Sequence, residues 1–154
     1  MEQHITPAPI RKSVTVRATP EHAFEIFTAG FDRWWPRAMN IGDSPLARAV
    51  IEPGVGGRWY GVGEDGSEHT WGDVLVWDRP RRLVLAWRIN AAFVCDPAVG
   101  SEVDVSFVPL APGRTRVDLE HRRLESLGPG ADVVRGQMDG GWAGILAAFV
   151  AAAE

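Results

Sequence analysis

Cysteine is nearly absent: Cys95 is the only one in 154 residues, so no disulfide can form within the chain, and a cysteine-rich zinc site is excluded. Positive charge is scarce. Sixteen Lys and Arg against twenty Asp and Glu leave a formal net charge of −4, which does not supply the basic face that nucleic acid or an anionic membrane surface requires. Long hydrophobic runs are missing too. No segment approaches the ~18 apolar residues of a membrane-spanning helix, and the stretch from Met1 to Pro7 has no basic region followed by an apolar one. Neither export nor membrane insertion is therefore expected, and a cytoplasmic protein is. The four histidines show no metal-ligand spacing such as His-x-x-x-His, and no cofactor motif is present, so neither a metal nor a cofactor is expected.

What is abundant is tryptophan, with seven residues, and glycine, with seventeen, spread over the whole length rather than gathered into a linker. The length suits one domain over residues 1–154, with residues 1–9 a loose tail. Residues 10–17 alternate, placing Ile10, Val14 and Val16 on one parity as a half-buried strand requires. Thr19, Pro20 and Glu21 then read as N-cap, first helical position and first-turn acid of a helix that buries Ala23, Phe24 and Phe27 and ends at Ala29-Gly30. A second short turn through Phe31 to Trp35 stops before Pro36, because proline disfavours helical geometry in the residue it follows.

From residue 46 to 123 the spacing predicts a meander of six strands, near 46–52, 57–63, 68–77, 82–89, 101–109 and 114–123, separated by Gly, Pro and Asp turns. The last of these alternates cleanly, with Thr115, Val117, Leu119 and His121 on one face and charged residues on the other. Val74–Trp77 and Leu83–Trp87 instead carry apolar residues on both parities. The outer sheet face is thus covered there, and a homodimer contact is one way to cover it. After Gly128-Pro129-Gly130, Val134, Met138, Trp142, Ile145 and Phe149 form a helical stripe. Gly140, Gly141 and Gly144 interrupt that helix, each at a cost of about 1 kcal/mol relative to Ala. Close approach of the helix to a strand is one explanation, and a slot beside Trp142 is the other. A strand, two short helices, six antiparallel strands and a long striped helix make an α+β fold in which the sheet must wrap the helix to bury its stripe.

Few residues present themselves for chemistry. His121 is a weak catalytic candidate: strand parity puts its imidazole on the apolar face, where it can act as acid, base or donor near neutral pH, or be satisfied by a neighbour. Gly54, Gly56 and Gly57 superficially suggest a phosphate loop, but the segment runs from strand to strand and lacks the Lys-Ser/Thr ending and the following helix. Cys95 and the serines have no activating context.

In this order and at these separations, several segments carry a resemblance: Ala18-Thr19-Pro20-Glu21 with Ala23-Phe24, Trp34-Trp35, Pro53-Gly54-Val55-Gly56-Gly57-Arg58, Trp71-Gly72-Asp73-Val74, Pro80-Arg81-Arg82-Leu83 with Trp87, Leu119-Glu120-His121, and Gly141-Trp142 with Leu146. The chain resembles the helix-grip superfamily (START-like, Bet v 1-like, SRPBCC), and within it the family related to the C-terminal domain of the Hsp90 ATPase activator (AHSA1-like). The resemblance implies a curved seven-stranded antiparallel sheet gripping the C-terminal helix, with a cavity between them that in relatives holds apolar molecules.

On that scaffold Phe24, Trp35, Trp59, Trp71, Trp87 and Trp142 are the candidate ligand-binding aromatics, joined by Met138 and His121, with Arg58, Arg88 and Glu68 as possible polar partners at the mouth. The expected function is binding of a small hydrophobic or aromatic molecule. The resemblance also implies two alternatives, a chaperone-regulating interaction protein and a cyclase- or hydratase-type enzyme that uses His121.

Overall fold

The computed structural model describes residues 7–38 and 44–154. Strand β1 (Ile10–Val16) leads into helices α1 (Pro20–Thr28) and α2 (Phe31–Trp34), and six strands follow: β2 (Leu46–Ile51), β3 (Arg58–Gly63), β4 (Glu68–Asp78), β5 (Arg82–Trp87), β6 (Ser101–Ala111) and β7 (Arg114–Arg122). A 3₁₀ turn over Leu124–Leu127, which the sequence pattern does not signal, precedes helix α3 (Ala131–Ala153). The seven strands form one antiparallel sheet in the order β1-β7-β6-β5-β4-β3-β2, curled into a half-barrel around α3.

The helix boundaries have the local causes the residues suggest. Thr19 Oγ1 accepts a hydrogen bond from the His22 amide at 3.1 Å, and Pro20 occupies the first turn. Trp35 leaves α2 in extended backbone ahead of Pro36. Asp32 of α2 accepts the Ala49 amide at 2.9 Å, tying the helix to β2 at the sheet edge. Helix α3 begins after Gly130, which stands in the left-handed region at φ 88°.

Inside the half-barrel the alternation of β7 is complete: Thr115, Val117, Leu119 and His121 are all buried. The apolar doubling on β5 resolves within the chain. Leu83 and Leu85 enter the core, while Val84 and Ala86 face the other way, and yet each is only 2% exposed in the single chain. Val84 lies in register between Val76 of β4 and Asp104 of β6. Asp104 binds Arg82 at 2.8 Å and Arg122 at 2.7 Å. This outer surface is covered by the chain's own neighbouring strands, so burial there does not require a second copy.

Of the expected N-terminal tail, Met1–Thr6 lie outside the described residues. Residues 8 and 9 are tied down rather than loose, because Arg135 of α3 donates to the Ala8 and Pro9 carbonyls at 2.6 and 3.3 Å.

Candidate functional site: a tryptophan-walled cavity between sheet and helix

A cavity of about 240 Å³ lies between the inner sheet face and α3. Trp71 and Ile89 wall it from the sheet side with Trp87; Val134, Met138, Gly141, Trp142 and Ile145 wall it from α3. Trp35, Ala38, Phe93 and Gln137 complete the lining, and the solvent-exposed Ala38, Phe93 and Gln137 mark its open side, the mouth. Among the described residues the lining carries no ionisable side chain, and Gln137 supplies its one amide. The space exceeds the ~150 Å³ engineered cavity that accepts benzene and falls short of the ~300 Å³ lower bound of drug-sized pockets.

Backbone economy puts the two sheet tryptophans in place. A Cβ on Gly61 would meet the Trp71 ring at 2.6 Å, so the missing side chain on β3 is the space the indole occupies. A Cβ on Gly72 would run into the Ala86 carbonyl. That close approach lets the Arg88 amide reach the Trp71 carbonyl at 2.8 Å, bringing β4 and β5 together beneath both rings. The wall is continuous: ring centroids are 5.4 Å apart for Trp35 and Trp71, 6.2 Å for Trp35 and Trp142, and 6.1 Å for Trp87 and Trp142.

Three of the expected ligand residues lie behind this wall rather than on it. Phe24 packs edge-on against Trp77 and Phe107, with centroids at 5.1 and 5.3 Å, and takes no part in the lining. Trp59 is covered by Trp71 and Trp87 at 5.7 and 5.4 Å. The indole N–H groups of Trp59 and Trp71 meet no oxygen or nitrogen acceptor. The two rings stand at 80° to each other, an edge-to-face arrangement in which an N–H can lie against a neighbouring π face.

His121 is the third. It is fully buried, and both ring nitrogens are engaged: the Trp142 indole N–H donates to Nδ1 at 3.2 Å, and Nε2 lies 3.3 Å from Ser101 Oγ. An indole can only donate, so Nδ1 is the bare nitrogen and Nε2 carries the proton. Ser101 Oγ accepts a hydrogen bond from Nε2–H and donates its own O–H to the Trp87 carbonyl at 2.6 Å. The result is a directional chain of hydrogen bonds from Trp142 through neutral His121 and Ser101 to Trp87. Burial pushes the His121 pKa down to about 3, which keeps the ring neutral. No carboxylate takes part in this chain of bonds, which ties Trp142 of α3 to Trp87 of β5 through His121.

The charged residues expected at the mouth work elsewhere. Arg58 pairs with Glu68 at 2.9 Å and covers the Tyr60 ring, while Arg88 pairs with Asp73 at 2.7 Å. Arg88 also donates to the Val99 carbonyl at 3.1 Å, anchoring the loop that follows β5. That loop brings in the cavity residues that sequence reasoning missed, Ile89 and Phe93. Phe93 is 56% exposed and adopts φ 62°, a left-handed conformation that costs a non-glycine residue about 1–2 kcal/mol. Val134 and Ile145 belong to the stripe already legible in α3, whereas Ala38 and Gln137 carried no signal.

The helix glycines do not serve close packing at two of the three positions. A Cβ on Gly140 or Gly144 would meet nothing within 4 Å, whereas Gly141 lies on the cavity wall next to Trp142. Gly54 and Gly56 stand at φ 87° and 86° in the β2–β3 connection, as a turn between strands demands. Among the described residues no cluster of side chains suits a metal ion, and no helix is long and apolar enough to cross a membrane.

Comparison with known proteins gives a consistent picture. The sequence profile of the family described as activator of Hsp90 ATPase homolog 1-like protein matches residues 17–154. An anthrahydroquino-γ-pyrone synthase, Txn09, solved as a complex, is 40% identical, with 96% of this chain and 97% of that one covered at a TM-score of 0.69. CalC from Micromonospora echinospora, a self-sacrificing resistance protein, is 39% identical over 96% of this chain and 94% of its own, at a TM-score of 0.70. The Aha1 dimer from Colwellia psychrerythraea shares the fold at 14% identity, covering 96% of each chain with a TM-score of 0.67. No curated protein matches the chain.

Proposed function

This chain belongs to the activator of Hsp90 ATPase homolog 1-like family, and we propose that within it the protein binds an uncharged, planar aromatic molecule of two to three rings between sheet and helix. The observation that carries this reading is the cavity itself, about 240 Å³ walled by Trp35, Trp71, Trp87 and Trp142. Flat, rigid indoles favour flat ligands at low entropic cost, and a wall without charge disfavours ionic ones, whose desolvation nothing would offset. The test is titration with N-phenyl-1-naphthylamine, a neutral dye that brightens in apolar surroundings. Saturable one-to-one binding with energy transfer from tryptophan is expected, with a rise in melting temperature that grows with dye concentration. Met138→Trp, which fills the cavity from α3, should abolish binding while the fold persists. No binding by the parent chain, or equal binding by the filled variant, would sink the proposal.

The likeness to Txn09 supports a second reading, that the chain transforms a ring system rather than only holding it. In that case the cavity's contribution is to hold a reactive precursor in one conformation. His121, neutral and fully hydrogen-bonded, supports the wall rather than moving protons. Turnover that survives His121→Gln, in a variant whose fold is intact, would agree with this assignment. The chaperone-facing alternative draws on the family's description and on the Aha1 dimer, whose 14% identity carries the fold alone. Co-purification with a chaperone, or a change in its ATPase rate on addition of this chain, is the measurement that would raise it.

A further inference from the structure

Phe93 combines three features that fit poorly together unless something else occupies the cavity. Its backbone is left-handed at φ 62°, its side chain is 56% exposed, and yet it lines the cavity mouth. The turn around it is built without any help from the phenyl ring. Asn90 Oδ1 accepts the amides of Ala92 and Val94 at 2.9 and 3.1 Å, and the Asn90 carbonyl accepts the Phe93 amide at 2.9 Å. The turn is anchored on both sides, by the Ala91 amide to the Leu127 carbonyl at 3.0 Å and by the bridge between Ile89 and Cys95. A glycine would satisfy this backbone with less strain. The ring gains little from burial where it stands, more than half exposed beside a cavity that Val134 and Gln137 of α3 also line.

We infer that Phe93 is the retaining residue of the cavity, an aromatic cap that covers the outward edge of the bound ring system and sets how long it stays. The inference rests on the reading of the cavity as a site for an uncharged aromatic molecule. An occupant too large for the enclosed space projects through the mouth, where its edge meets the phenyl ring and both lose their remaining contact with water. Because the turn is hydrogen-bonded in place, the cap is preorganised, so its contribution falls on dissociation more than on association.

The experiment compares the parent chain with Phe93→Gly and Phe93→Tyr, using N-phenyl-1-naphthylamine in stopped-flow displacement alongside thermal denaturation without ligand. Phe93→Gly should raise the melting temperature by about 2–4 °C, as left-handed strain is relieved. It should also release the dye about 10-fold faster, the factor to which a favourable aromatic pair corresponds at the upper end of its usual strength. Phe93→Tyr should keep the parental release rate. A dissociation rate for Phe93→Gly within twofold of the parent overturns the inference while leaving the cavity reading intact. A fall of several degrees in its melting temperature also overturns it, by making the ring a structural element. If the parent chain itself fails to bind the dye, the reading of the cavity falls, and this inference with it.

Discussion

The indole of Trp142 donates its N–H to Nδ1 of His121 across 3.2 Å, so the helix wall of the cavity is pinned to strand β7 through a histidine that must stay neutral. A second proton on the imidazole would sit on Nδ1, where it faces that same indole N–H, and would leave a buried cation without a counter-charge.

A pH dependence follows. The folded His121 pKa, about 3, lies below its ordinary value of 6.5, so the unfolded chain takes up the proton first as the solution is acidified. The stabilisation is complete above pH ~6.5 and is lost as the pH falls from there toward 3. Between pH 7.5 and 5, unfolding free energy should drop by about 2 kcal/mol, before most carboxylates titrate. Gln at this position can accept from Trp142 and donate to Ser101 without titrating, so His121→Gln should flatten the slope over this window. Urea denaturation at several pH values would measure it; an unchanged slope in the variant would assign the dependence elsewhere.

Gly72 should tolerate no side chain. Its Cβ would strike the Ala86 carbonyl, a backbone atom that cannot yield without breaking the Arg88–Trp71 bond that sets β4 against β5. Gly72→Ala is expected to cost more than about 2 kcal/mol, the range of core overpacking, visible as a melting-temperature loss of at least ~5 °C.

Gly140 and Gly144 should behave in the opposite way. Open space surrounds the position of each missing Cβ, and both sit inside α3. Alanine at either site should add about 0.5–1 kcal/mol to unfolding free energy, by differential scanning calorimetry, with dye binding unchanged. A loss of stability would mean that this helix face meets something outside the chain.

Asp104 anchors the outer sheet face. Burial opposes its ionisation, but bonds from Arg82 and Arg122 prevail and hold the carboxyl below the ordinary range. Asp104→Asn removes the charge from between two arginines and should destabilise the chain by about 1–3 kcal/mol in denaturant titration at neutral pH. In the parent chain this contribution is present at neutral pH and fades only as acidification carries Asp104 through its depressed folded pKa.

Much of this molecule follows from local pattern. The two-residue alternation of β1 and β7, the capped start of α1, the stop before Pro36 and the apolar stripe of α3 are each decided by neighbours within a turn or two, so they are legible in the sequence. The order of these elements is enough to require a sheet curled around the last helix. Which aromatic residues border empty space is another kind of fact. Trp59 is a strand tryptophan as Trp71 and Trp87 are, yet it packs behind the wall, where a register shift between Trp59 and Tyr60 and the absent side chains at Gly61 and Gly72 shape the space around it, while Phe24 of α1 packs against Trp77 and Phe107 instead. His121 was legible as a buried strand residue, but its role depended on an indole arriving from 21 positions along the chain. Phe93 gave no signal at all, since an exposed phenylalanine in a loop has no periodicity to read. A void is what remains after long-range packing, and only the tertiary structure brings those distant surfaces together.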